Sequence, residues 1–289
     1  MPDIYRTEAG QRAVEAQYRR ALDRWPVPHE EISVPTCHGD TFVVASGDVS
    51  APPVVLLHGS GTNSAAWIRD VAVWARDFRV YAIDMIGEPG LSASSRPPLR
   101  SAEHATWLDN TCQQLGLESA SIVGTSLGGW LALDYAVRRP HRVVSLSLLS
   151  PSGIGRQNRL TAVRLGMLRL FGRWGLERSL RLVTGRRDLP RPVIDALIVV
   201  FQSFRPRLER IPVRTDAELA SLRMPIQVIV GEDDIFIDSS DTRTRLTRHV
   251  PHAQVTFLQH VGHILPSQTA PIAAFLRSVN LVGGSAVAR

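Results

Sequence analysis

Val54-Val55-Leu56-Leu57 is an apolar run without polar alternation, and comparable runs recur at Val80–Ile83, Ser121–Val123, Val143–Leu149 and Ile226–Val230. A strand covered on both faces carries this pattern. Between the runs lie stretches with helical spacing of apolar positions, Asn63–Arg76, Ala102–Leu115 and Leu127–Arg138. Strands alternating with helices predict a parallel sheet with helices on both faces. Upstream, residues 8–24 predict a charged surface helix closed by Trp25-Pro26-Val27-Pro28, because proline cannot continue a helix. Two short strand-like runs follow, Glu31–Pro35 and Thr41–Ala45, with His38-Gly39-Asp40 as the turn of a hairpin.

The alternation stops after Leu149. From about Ser152 to Thr215 there is no buried-strand run, only amphipathic stretches, with Leu160, Val163, Met167, Leu168, Phe171 and Trp174 set among arginines. Ile226–Val230 then resumes the pattern, followed by a helix at Ser239–His249, a strand at Gln254–Leu258 and a last helix from Pro266 to Val279. The organisation expected is a core of residues 1–152 and 216–289 interrupted by a helical cap, or lid, at residues 153–215. The tail Gly283–Arg289 is expected to fray.

At 289 residues, 44% hydrophobic and 21% charged, the chain has the composition of a globular protein, which excludes disordered and fibrous classes. The formal net charge of +6 is carried on arginine alone, since there is no lysine. Neither clustered basic residues with stacking aromatics nor a known module points to nucleic acid. The excess is local. Residues 156–214 hold fourteen arginines against Glu177, Asp188, Asp195 and Glu209, a net +10, and leave −4 for the rest. Most of these arginines are read as solvated helix faces, although a basic cap could also steer anionic substrates or an acidic carrier. Cys37 and Cys112 have neither a multi-bridge nor a metal spacing. The start of the chain lacks a signal peptide's apolar stretch, and no window approaches the roughly 20 apolar residues of a membrane span. A cytoplasmic protein is expected, with no cofactor, no metal and an unknown oligomeric state.

Chemistry concentrates at Ile122-Val123-Gly124-Thr125-Ser126-Leu127-Gly128-Gly129, where a strand runs into G-x-S-x-G and then into a helical segment. That is the context of a nucleophile elbow. Glycines are needed there because larger side chains would collide across so tight a turn, and Ser126 sits where a helix N-terminus favours developing negative charge. Acyl transfer needs two donors for its oxyanion: the N–H of Leu127 is one, and Ser60, in the His58-Gly59-Ser60-Gly61 turn after the first buried strand, supplies the other. His58 itself is read as a hydrogen-bonded loop anchor. An activated serine needs a histidine base held by an acid. Acid candidates after Ile226–Val230 are Glu232, Asp233 and Asp234; base candidates after Gln254–Leu258 are His260 and His263. His104, His141, His249 and His252 are expected on helix surfaces or ends.

These segments, with Asp84-Met85-Ile86-Gly87-Glu88-Pro89-Gly90-Leu91-Ser92, resemble the α/β-hydrolase superfamily nearly end to end. The resemblance implies an α/β-hydrolase fold: a mostly parallel central sheet flanked by helices, with the helical cap inserted after strand 6. It implies Ser126 as nucleophile, Asp234 as acid and His263 as base, with Ser60 and Leu127 at the oxyanion positions. The family's other acid location holds Ser150 and Ser152 here, which favours Asp234. A serine at the elbow argues against the dehalogenase and epoxide hydrolase branches, which use aspartate. The loop after Asp84 departs from the commoner Asp-x-x-Gly-x-Gly-x-Ser form by carrying extra residues, so its pocket shape does not transfer. The leading expectation is hydrolysis of a small-molecule carboxylic ester. Thioesterase, lactonase, C–C bond hydrolase, perhydrolase and acyltransferase activities share the machinery; a ligand-binding member without turnover ranks below them, and an interaction or membrane-surface protein lower still.

Overall fold

A computed structural model describes residues 4–158, 161, 165, 167–184 and 190–287. Eight strands form one sheet: β1 (His29–Val34), β2 (Thr41–Ser46), β3 (Pro53–Leu57), β4 (Arg79–Ile83), β5 (Ala120–Thr125), β6 (Val143–Leu149), β7 (Ile226–Gly231) and β8 (Gln254–Leu258). Their order is β1-β2-β4-β3-β5-β6-β7-β8. The β1–β2 hairpin is antiparallel, as its short connection requires, and β2 joins β4 antiparallel. Every remaining pair is parallel.

Alternate residues of the buried strands feed two separate cores, as a pleated strand demands. Val55, Leu57, Ile83, Ile122 and Val228 pack with α3 (Glu103–Gln114) and α4 (Leu127–Arg138). Val54, Leu56, Val80, Val123 and Ile229 pack on the opposite face with Tyr18 and Leu22 of α1 (Glu8–Leu22), with Trp67 and Trp74, and with Leu276. Each such side chain removed from water stabilises the fold by roughly 1.5–3 kcal/mol.

The single helix expected over Asn63–Arg76 is instead a 3-10 turn at Ser64–Trp67 followed by one α-helical turn, α2 (Val71–Trp74). Trp67, Val71 and Trp74 keep their helical spacing and are buried, but Asp70 between them accepts the hydroxyl of Thr269 from the last helix. That last helix, α9 (Thr269–Val287), follows α5 (Gly172–Val183), α6 (Arg191–Ser203), α7 (Asp216–Ala220) and α8 (Ser239–His249). Helix α9 runs past Val279 through Gly283 to Val287; Ala288 and Arg289 lie outside the described residues.

The cap, carrying α5 and α6, leaves the sheet after β6 and returns before β7. Leu160, Val163, Arg159, Arg164, Arg186, Arg187 and Asp188 lie outside the described residues. Met167, Phe171 and Trp174 are exposed rather than packed, whereas Leu176 and Leu180 are buried. Helix α1 is more than a surface helix. Val14, Tyr18 and Leu22 are buried, and the segment preceding it braces the cap: Arg6 N–H donates to Ser203 O at 2.7 Å, Arg205 N–H to Ile4 O at 2.9 Å, and Ile4, Tyr5, Val14, Val200 and Phe204 form a small core.

Candidate active site

The parallel strands present their carboxyl ends on one side, where ligands of such sheets bind. β5 ends in Ser126, which adopts φ 52° and ψ −110°, a left-handed conformation that a serine rarely takes. Neighbours lock it: Ser126 N–H donates to Leu149 O at 2.9 Å, while Ser126 O accepts from Trp130 N at 3.0 Å and Ser152 N at 3.1 Å. The glycines make the approach possible. A β-carbon on Gly128 would stand 2.5 Å from the carbonyl oxygen of His58 and closer still to that of Leu57, and one on Gly124 would meet Gly128 O at 2.6 Å. The start of α4 is thereby pressed against the end of β3.

Asp234, after β7, is buried at 1% side-chain exposure. Its Oδ1 accepts from Phe236 N at 2.8 Å and Ile237 N at 3.1 Å, which leaves Oδ2 for His263 Nδ1 at 2.7 Å. His263 Nε2 lies 2.8 Å from Ser126 Oγ, and the edge of the Phe236 ring rests against the imidazole at 4.9 Å between centroids. Ser126, His263 and Asp234 thus form one hydrogen-bonded chain. Glu232 and Asp233 are exposed on the same turn. His260 is exposed, with φ 56° and its N–H on Glu232 at 3.2 Å. Ser150, at the alternative acid location, also has positive φ and is tied through its N–H to Ile229 O.

The His58–Gly61 turn reaches the serine: a β-carbon on Gly59 would sit 3.6 Å from that of Ser126. His58 is fully buried and anchors this turn, accepting Met85 N–H on Nε2 at 2.9 Å and reaching Gly59 O through Nδ1 at 2.9 Å. Burial pushes its pKa down, so the neutral ring is the working form. Of the expected oxyanion donors, Ser60 lies on this turn and Leu127 is the first residue of α4. Sequence reasoning passed over Glu88. Its carboxylate, 1% exposed, accepts from Ser60 Oγ at 3.0 Å and Gly61 N at 2.8 Å on the same oxygen. The signal was the departure of its loop from the commoner spacing.

His104 is not on a helix surface. It is 3% exposed, its ring meets Trp130 edge-on at 5.7 Å, and Arg207 Nη2 of the cap lies 3.4 Å from its Nε2. Burial first, then the Arg207 charge, pushes its pKa down to about 3. Two cap arginines are likewise structural: Arg214 pairs with Asp134 at 2.8 Å and Arg207 donates to Pro97 O at 3.1 Å. A solvent-open depression lined by Pro26, His29, Glu30, Arg76 and Arg79 lies at the amino end of β4, the wrong end of the sheet for Ser126. No described helix is long and apolar enough to cross a membrane.

Compared with known proteins, the chain matches the alpha/beta hydrolase family over residues 54–278. It is 31% identical to carboxylesterase YbfK of Bacillus subtilis over 266 residues, 89% of each chain, and superposes on the crystal structure of that enzyme with a TM-score of 0.81 over 96% of this chain and 99% of that one. The crystal structure of naproxen esterase from the same organism matches with a TM-score of 0.81 at 27% identity, over 97% of this chain and all of that one. A 2-hydroxy-6-oxononadienedioate/2-hydroxy-6-oxononatrienedioate hydrolase of Cupriavidus pinatubonensis is 28% identical over 256 residues, covering 78% of this chain and 86% of that protein.

Proposed function

Because the chain belongs to the alpha/beta hydrolase family, we propose that it hydrolyses small-molecule carboxylic esters through an acyl-enzyme formed on Ser126. One observation carries the reading: the unbroken relay from Asp234 Oδ2 to His263 Nδ1 at 2.7 Å and from His263 Nε2 to Ser126 Oγ at 2.8 Å. His263 takes the hydroxyl proton as Ser126 Oγ attacks the ester carbonyl, and the N–H groups of Leu127 and Ser60 receive the oxyanion. The carbon–oxygen bond to the alcohol then breaks, and the alcohol leaves with the proton held on His263. Water, deprotonated by His263, attacks the acyl group and frees Ser126. Asp234 holds the imidazole in one tautomer and stabilises its cationic form. The kinship with carboxylesterases over 89% of both chains supports ester substrates. The cap, taken as residues 153–215, selects among them, and the free thiols of Cys37 and Cys112 fit a reducing compartment, the cytoplasm.

Ser126→Ala should abolish turnover of short p-nitrophenyl esters, and an organophosphonate should add once to the wild type, on Ser126, by intact mass. A variant that keeps full turnover, or a wild type that takes no adduct, refutes the reading; the second result would make the protein a binder. A second reading, hydrolysis of a C–C bond in an anionic dienedioate, is favoured by one observation, the fourteen arginines of the cap against four acids. It predicts kcat/KM for a 2-hydroxy-6-oxo dienedioate above that for neutral esters.

A further inference from the structure

We propose that Glu88 is a positioning residue: its buried carboxylate orients the Ser60 peptide so that the Ser60 N–H is aimed at the oxyanion. This rests on the reading above, in which Ser60 supplies one of the two donors. The loop that carries Glu88 is rigidly held. Asp84 Oδ2 accepts Leu91 N–H at 2.9 Å, Ser92 Oγ donates to Asp84 O at 2.6 Å, and Gly87 N–H donates to Ala93 O at 2.9 Å. Gly90 has no room for a side chain, since a β-carbon there would meet the Asp84 carboxylate at 2.5 Å. A loop so constrained delivers Glu88 to one place.

That place is the two sides of Ser60. One carboxylate oxygen takes the Ser60 hydroxyl and the next residue's N–H, at 3.0 and 2.8 Å, while Oε1 is buried without a hydrogen-bond partner. Gly61 turns through φ 75°, and its β-position faces Phe201 of α6 at 3.7 Å. Pinning the hydroxyl and the following amide fixes Ser60 from one side, while the preceding peptide, which carries the Ser60 N–H, is held through Gly59 O by Thr62 Oγ1 at 2.7 Å and His58 Nδ1 at 2.9 Å; together they leave that N–H one direction. A carboxyl group this deep is costly to bury unless its surroundings offset the lost hydration. Burial drives the Glu88 pKa up, and Gly61 N–H, Ser60 Oγ–H and the charges of Arg96 and Arg207 oppose that shift. Arg96 itself is bound to Gly87 O at 2.9 Å, and Arg207 comes from the cap. A structural role could be filled by an apolar side chain at far lower cost; a carboxyl oxygen held on both Ser60 Oγ and Gly61 N points to their alignment.

The experiment separates reach from charge. Glu88→Gln keeps an oxygen at the same distance, Glu88→Asp keeps the charge but withdraws it by one methylene, and Glu88→Ala removes both. For each, kcat and KM on a neutral p-nitrophenyl ester are measured per site titrated with a phosphonate, so that misfolded protein does not count. Loss of one well-placed oxyanion donor costs about 10²–10³ in kcat, and misalignment should cost about 10–100-fold in Asp and Ala, with KM within about threefold and with Gln within about fivefold of wild type. Unchanged kcat in Glu88→Asp, or Gln as damaged as Ala, overturns the proposal; so does a rise in KM at constant kcat. If Glu88→Ala does not fold, the Asp and Gln pair still decides. A wild type that takes no phosphonate adduct defeats the Ser126 reading instead, whatever the Glu88 variants do.

Discussion

Gly128→Ala is a single methyl placed where the helix after the nucleophile presses on the first parallel strand. The new carbon would lie 2.5 Å from His58 O and nearer still to Leu57 O, against an ordinary contact of 3.4–4 Å. Both obstacles are main chain at the end of a strand paired on either side, so they cannot swing away. Helix α4 must retreat by about 1 Å, and it carries Ser126 and the Leu127 N–H with it. Overpacking of this kind costs about 1–3 kcal/mol, and the gain from replacing glycine inside a helix returns up to about 1 kcal/mol. Net destabilisation should therefore be about 1–2 kcal/mol by urea unfolding. A misplacement near 1 Å at the reacting groups costs about 10²-fold in rate, so kcat on a p-nitrophenyl ester should fall by that order. Gly129→Ala is the internal control: its β-carbon would meet the Pro151 side chain at 3.0 Å and Gly124 O at 3.2 Å, contacts that a few tenths of an ångström relieve. It should cost less than tenfold in kcat and leave stability near wild type. Gly128→Ala with wild-type stability and kcat, or the two variants equally impaired, would refute the steric account of the elbow.

Asp234→Asn keeps the contacts to Phe236 and Ile237 but loses the acceptor for His263 Nδ1–H, so kcat should fall by about 10³–10⁴ with little change in unfolding midpoint. His104 has its pKa depressed from 6.5 to about 3, so it stays neutral in the folded state while the unfolded chain binds a proton below 6.5. Stability is therefore full above pH 6.5 and declines as pH falls, by about 2 kcal/mol from this residue at pH 5. His104→Gln, which retains an acceptor for Arg207, should remove that much of the slope in urea titrations at pH 7.5 and 5.0; an unchanged slope counts against a neutral buried ring. Raising salt from 20 to 300 mM should lower kcat/KM severalfold for an anionic ester and leave a neutral one alone if the cap steers charge; equal responses would end that idea.

The short hydrophobic runs of β3 to β7 were legible because a strand buried on two faces carries no polar alternation, a property of the residues themselves. Helix α4 and the elbow were legible for a related reason: the glycines around Ser126 are demanded by a turn only a few residues wide. Local pattern failed where a remote group intervened. The 63–76 stretch is a 3-10 turn and one α-helical turn, and Asp70 between them binds Thr269 of the last helix. His104 has the look of a surface residue on an amphipathic helix, and the cap covers it with Arg207. Helix α1 carries charges enough for a solvated helix, yet Tyr18 Oη–H donates to Asp84 at 2.9 Å and the segment before it is stitched to the cap.

By itself the sequence determined the order of the buried strands along the chain and the serine that follows β5, because each follows from side-chain periodicity or from a steric need satisfied within a few neighbouring residues. The residues alone left three acids and two histidines as candidates, and the resemblance to the α/β-hydrolase superfamily singled out Asp234 and His263. Only the tertiary structure supplied the contacts: Asp234, its other oxygen occupied by two backbone amides, faces His263, and His263 stands 2.8 Å from Ser126, 137 residues away in the chain. Glu88 belongs wholly to that second class. The unusual spacing of its loop marks only the place, and its meaning arises when a loop after β4 is brought beside the loop after β3, where its carboxylate meets Ser60 and Gly61.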